Sequence, residues 1–136
     1  LDALGKRIRF LQEVIDALPL GNAQAVHARA EEFGHREAFD LAVSRAVAKL
    51  NVLAELSMPL VKPGGYFIAM KAVGSDEEIE QAQKAITLLG GRLERVEDYD
   101  VPMADGRRSR LVIVKKVKET PKKYPRRFQK ISSDPL

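Results

Sequence analysis

Phe39-Asp40-Leu41-Ala42-Val43-Ser44-Arg45-Ala46 decides how this chain is read. An aromatic and an acid lead into a short apolar run that ends on Ser-Arg-Ala, and residues 46–60 then read as a helix. That is the pattern of a buried parallel strand delivering a polar pair to its carboxyl end, where open α/β sheets bind ligands. A guanidinium at such a place costs desolvation unless an anion or a set of carbonyls meets it.

Working outward, residues 24–28 predict a short strand and Arg29 to Glu37 a polar loop or single helical turn. Further back, Leu4, Ile8, Leu11, Ile15 and Leu18 fall at helical spacing. They predict an amphipathic helix over residues 3–18 with one buried stripe, ended by Pro19 and Gly21. On the other side, Ala46, Val47, Leu50, Leu53 and Ala54 give a helical stripe closed near Pro59–Pro63. Tyr66-Phe67-Ile68-Ala69-Met70 follows the turn Pro63-Gly64-Gly65 and is apolar on both faces, as a strand between two covering layers requires. Ser75 and Glu78 have the spacing of a capping box, with Ile79, Ala82, Ile86 and Leu89 as the stripe behind it. Residues 92–101 and Leu111–Val114 read as strands joined tightly through Asp105-Gly106, hence antiparallel. The prolines at 121, 125 and 135 predict an extended arm over 118–136, after a domain spanning 1–117. Alternating strands and helices closed by an antiparallel pair predict a three-layer α/β/α sheet.

The 136 residues suffice for one ordinary core, and a 45% hydrophobic, 31% charged composition is that of a globular chain. No apolar run reaches the ~18 residues of a membrane span. Cysteine is absent, which excludes disulfides and thiolate chemistry and fits a reducing, cytoplasmic setting. Two histidines, His27 and His35, are too few for a His-rich metal site, so no metal is expected. The net charge of +4 hides a split. Residues 107–136 hold eleven Lys and Arg against two acids, a balance of +9, while residues 1–106 stand at −5. A basic end of this kind suits a polyanion; the bland alternative is a solvated tail.

Several pieces match one family in order and spacing. Asp2-Ala3-Leu4-Gly5-Lys6-Arg7, Arg29-Ala30-Glu31, Ser44-Arg45-Ala46, Lys62-Pro63-Gly64-Gly65-Tyr66, Met70-Lys71 and Lys122-Lys123-Tyr124-Pro125-Arg126 resemble the motifs of the bacterial 16S rRNA guanine-N7 methyltransferases, the glucose-inhibited division protein B family. The resemblance implies a Rossmann-like class I methyltransferase fold, mostly parallel with a terminal antiparallel strand pair. It implies S-adenosylmethionine as cofactor and 16S rRNA in the small ribosomal subunit as partner. It places the family's Gly-rich loop and first strands upstream of Leu1, so the chain is expected to lack its N-terminal strands and to leave a sheet edge open. After Arg126 the chain departs from the family's usual ending.

By that resemblance Asp2, Ala30, Glu31 and Arg45 are expected at the cofactor. Asp2 would accept from ribose hydroxyls, Ala30 and Glu31 would flank the adenine, and Arg45 would meet the carboxylate. The bland readings are a helix cap for Asp2, first-turn helix charge for Glu31, and an ion pair of Arg45 with Asp40 or Glu31. Lys71 is expected on an rRNA phosphate or the target base, or as a lysine snorkelling from a strand end. Arg107, Arg108, Arg110, Lys115, Lys116, Lys118, Lys122, Lys123, Arg126, Arg127 and Lys130 are expected along phosphates. Tyr124 and Phe128 would stack on bases, unless Tyr124 packs the arm onto the sheet. Guanine N7 is already an acceptor with an exposed lone pair, so no general base is expected. The alternative function is a catalytically incomplete, RNA-binding fragment of the same fold.

Overall fold

The computed structural model describes residues 1–45, 48–102 and 106–136. They fall into two units, Leu1–Gly34 and His35–Leu136.

The first unit holds helix α1 (Gly5–Ala17) and a single 3-10 turn at Ala30–Glu32. The apolar stripe predicted for α1 is present, but none of its residues is buried; Phe10 is 63% exposed. The strand predicted over 24–28 shrinks to one parallel bridge between Asp2 and His27. It is held by Asp2 N–H to the Val26 carbonyl at 3.2 Å and Ala28 N–H to the Asp2 carbonyl at 3.3 Å. The chain turns into α1 three residues after Asp2, so the ladder cannot extend in that direction.

The second unit contains β1 (Phe39–Ser44), α2 (Leu50–Ser57), β2 (Val61–Ala72), α3 (Asp76–Leu88), β3 (Gly91–Asp100), β4 (Arg108–Lys116) and α4 (Phe128–Ser133). The strands form one sheet in the order β1-β2-β4-β3. β1 is parallel to β2, and β4 is antiparallel to both β2 and β3. Three strands therefore share a direction and β4 opposes them, with β3 and β4 as the expected antiparallel pair. Leu50, Leu53, Ala54 and Met58 from the α2 segment and Ile79, Ala82 and Ile86 from α3 pack on Phe67, Ala69, Val112 and Val114. Full burial of a side chain such as Phe67 contributes about 1.5–3 kcal/mol.

β1 differs from its sequence reading. Ala42 packs against the core, but Leu41 is 49% and Val43 53% exposed. β1 is a terminal strand of the sheet, so one side of its backbone pairs and one of its faces is open among the described residues. Gly65 is needed where β2 passes β1: a Cβ there would collide with the Asp40 carbonyl oxygen. The adjoining register shift lies between Phe39 and Leu41.

The predicted capping box at α3 does not form. Ser75 makes no cap hydrogen bond, and its Oγ is buried without a partner among the described residues. Glu78 turns to a different task, described below. Ala46, Val47 and Asp105, which the sequence reading used, lie outside the described residues.

The segment after β4 is a folded strap, not the expected extended arm. Tyr124 is 5% exposed, Ile131 is fully buried, and both belong to the same unit as the sheet. Its anchor is Lys116, whose ammonium is fully buried. The Nζ donates to the Met58 carbonyl at 2.6 Å, the Val61 carbonyl at 3.0 Å and Thr120 Oγ1 at 2.7 Å. Glu37 Oε1 lies 3.3 Å away and also accepts the Thr120 N–H at 2.8 Å. Arg36 donates to the Tyr124 and Thr120 carbonyls. Burial pushes the Lys116 ammonium below its usual range, opposed by Glu37.

Candidate functional site

β1 and β2 run in parallel, so Ser44-Arg45 and Lys71 arrive at the same end of the sheet. Arg45 is exposed, and no hydrogen bond or ion pair reaches it from the described residues. Both partners that would have made it structural are engaged elsewhere. Asp40 pairs with Lys62, which holds its carboxyl below the usual range. Glu31 Oε1 accepts from Arg29 Nε at 2.8 Å. Beside Arg45, the Ser44 hydroxyl is buried with no hydrogen-bond partner among the described residues. A cation without an anion next to a buried hydroxyl without a partner leaves polar groups with bonding capacity to spare.

Lys71 is placed differently. Its Nζ sits 2.7 Å from Glu78 Oε1 and donates to the Ala48 carbonyl at 3.1 Å. Glu78 Oε1 also accepts the Leu50 N–H at 2.6 Å. Leu50 opens α2, whose own N-cap residue Lys49 supplies no side-chain bond. Glu78 therefore caps α2 from the first turn of α3, meeting an orphan N–H at the positive end of a helix.

Arg110 lies opposite Lys71 across the β2–β4 ladder and opposite Asp98 across β3–β4. It donates through Nε to Asp98 Oδ1 at 2.6 Å and through Nη2 to Asp98 Oδ2 at 3.0 Å. Its third nitrogen stands 2.9 Å from Asp76 Oδ1 as an ion pair without hydrogen-bond alignment. Its bonds to Asp98, and then its pairing with Asp76, raise the Arg110 pKa, and Arg110 holds Asp98 below the usual carboxylate range.

In the Leu1–Gly34 unit, Asp2 Oδ1 accepts the Leu4 N–H at 2.8 Å and Oδ2 accepts from Arg7 at 3.1 Å. The Leu4 bond, then Arg7, lowers its pKa. The N-cap position of α1 belongs to Leu4, two residues later than the cap reading of Asp2 supposed. Ala30 and Glu31 sit in the 3-10 turn, half-buried. His27 Nε2 is 3.0 Å from the Ala3 carbonyl, a structural contact.

The basic run sorts into two kinds. Arg107, Lys122, Lys123 and Arg127 have exposed side chains. Lys123 Nζ stands 5.3 Å from the Tyr124 ring centroid. Arg108 is exposed beside Asp100 at 3.3 Å, and Lys130 pairs with Asp134 at 2.6 Å. Arg110, Lys116 and Arg126 are taken up inside. Arg126 gives Glu55 its N–H at 2.9 Å, Nε at 2.8 Å and Nη2 at 2.6 Å. Glu55 is fully buried and raises the Arg126 pKa. Glu37 and Glu55 were given no role in the sequence reading, and Glu78 only a local one, because nothing in local spacing marks a partner so far along the chain. Among the described residues no cluster of three or more His, Asp or Glu side chains is arranged to hold a metal. None of the described helices is long and apolar enough to cross a membrane.

Residues 1–107 match the family model described as rRNA small subunit methyltransferase G. The chain belongs to that family. Proteins called ribosomal RNA small subunit methyltransferase G are 48% identical over 131 residues in Bacillus licheniformis and 51% identical over 140 residues in Clostridium botulinum. These alignments cover 93% and 100% of this chain, but 54% and 58% of the relatives. The chain thus spans about half the length of the family members it matches. Among solved structures, TYW2 of M. jannaschii in complex with AdoMet superposes with a TM-score of 0.66 at 15% identity, covering 85% of this chain and 56% of that one. An rRNA methylase of Streptococcus thermophilus gives 0.56 at 12% identity, covering 86% and 71%. At these identities the likeness establishes the methyltransferase fold.

Proposed function

We propose that this chain serves S-adenosylmethionine-dependent methylation of guanine N7 in 16S rRNA of the small ribosomal subunit, in the cytoplasm. The observation that carries the reading is Arg45, exposed and without a partner at the carboxyl end of β1 in a chain of this family. The residues fit the cofactor. Arg45 offers a forked donor to a carboxylate, and the Ser44 hydroxyl is buried and unspent beside it. Asp2, Ala30 and Glu31 are the further candidate contacts, and each Asp2 oxygen keeps acceptor capacity beyond its present bond.

When bound, S-adenosylmethionine supplies an electrophilic methyl group. Guanine N7 brings its own lone pair, so no residue need remove a proton. The work left to the chain is binding and in-line orientation, a proximity effect. The exposed cations Arg107, Arg108, Lys122, Lys123 and Arg127 would hold phosphates, each neutralised phosphate adding to the salt dependence of binding. Lys71, Arg110, Tyr124 and Arg126 belong to the architecture instead, since their polar or aromatic groups already have partners or are buried.

Incubating small subunits that lack the modification with labelled S-adenosylmethionine tests this, using the chain and a version extended to the full span of its relatives. Transfer to a guanine N7 is expected of the extended version. No transfer by it would overturn the proposal. The exposed basic strap favours one other reading, RNA binding without transfer; that reading fails if binding to small subunits is indifferent to salt.

A further inference from the structure

Glu78 and Lys71 do more than neutralise each other. Each also holds one end of the same three-residue turn. Lys71 Nζ donates to the carbonyl of Ala48, and Glu78 Oε1 accepts the N–H of Leu50. The Lys71 side chain is 10% exposed, so little water competes for it. Its base is fixed by the β2–β4 ladder and the adjacent Arg110–Asp98 fork. Glu78 leaves the capping task that its spacing suggests and reaches this turn instead. Ala48–Leu50 is the point at which the chain leaving Arg45 is tied down to α2, and no side chain of the turn's own N-cap residue does it.

We propose that Lys71 and Glu78 form a positioning pair that fixes the Ala48–Leu50 turn and thereby aims Arg45 at the carboxylate of the cofactor. The pair is directional. A lysine must face the carbonyl and an acid must face the amide, so exchanging the two residues restores the ion pair but opposes both backbone groups. The inference rests on the cofactor reading of Arg45, and its test separates the two.

The variants are E78A, E78Q, the exchange K71E/E78K, R45Q and R45Q/E78A, made in the version extended to the full span of the chain's relatives. Hydrogen exchange of the Leu50 amide and S-adenosylmethionine affinity are measured for each, with thermal melting as a check on folding. The Leu50 amide should exchange at least tenfold faster in E78A and in K71E/E78K. E78Q, which keeps an acceptor oxygen, should stay near the parent. S-adenosylmethionine affinity should fall about tenfold in E78A and in the exchange variant, and E78A should cost nothing further once Arg45 is Gln. An unchanged Leu50 amide overturns the clamp. Full affinity in E78A, or an additive loss in R45Q/E78A, overturns the positioning role even if the clamp exists. An extended parent that binds no S-adenosylmethionine overturns the cofactor reading of Arg45, while Leu50 exchange still decides the clamp.

Discussion

β1 and β2 run side by side in the same direction, and each brings a basic residue toward its carboxyl end, Arg45 and Lys71. They are treated in opposite ways. Lys71 meets Glu78 and a carbonyl; Arg45 meets nothing among the described residues. The same contrast runs through the basic stretch from 107 onward, where Lys116 and Arg126 are enclosed with acids and Lys122, Lys123 and Arg127 face solvent. Where the fold supplies an acid, the cation is part of the architecture. Where it supplies none, the cation is left for an anion from outside.

The sharpest way to break this contrast is Lys116→Met. Removing the amine strands two carbonyls, the Thr120 hydroxyl and Glu37, so unfolding in urea should show a loss of about 3–5 kcal/mol. A change near zero would mean that the enclosed cations are as dispensable as the exposed ones.

Acid titration comes next. Arg110 depresses the pKa of Asp98, so the folded state binds fewer protons there than the unfolded chain. The pair's contribution is complete above the unfolded value of about 3.9 and is lost as pH falls through the lower folded value. Asp98→Asn should therefore flatten the acid limb of a stability profile and leave its shape near neutrality unchanged. The effect is modest because Asp98 itself is exposed. An acid limb identical to the parent's would remove Asp98 from the account.

The smallest effect on folding belongs to Arg45→Gln. With no partner to lose, its stability should stay within about 0.5 kcal/mol of the parent in the same urea experiment. A loss as large as that of Lys116→Met would place Arg45 with the architecture and erase the contrast.

β2, α3 and the β3–β4 pair were legible in the sequence because period, turn residues and apolar runs are local signals. The motifs around Ser44-Arg45 were legible for the same reason. The sorting of cations was not. Arg126 and Lys116 read like their neighbours until the chain is folded, since Glu55 lies 71 residues from Arg126 and the carbonyls of Met58 and Val61 lie 58 and 55 residues from Lys116. Glu78 misled in the opposite direction: its spacing from Ser75 is that of a local cap, and a tertiary amide took it instead. The prolines of the strap rule out long regular structure, yet they say nothing about whether Tyr124 and Ile131 find a core, which they do.

The Lys116 ammonium also sets an order of events. Thr120 both accepts from that ammonium and donates to the Leu89 carbonyl at 2.6 Å, so its hydroxyl closes the last gap around a charge already inside the sheet. A chain emerging from synthesis as far as Lys116 would hold the four described strands of this sheet, yet its buried cation would still lack one of its acceptors. Cooperative closure of the domain therefore waits on a threonine that lies outside every strand and helix of the unit.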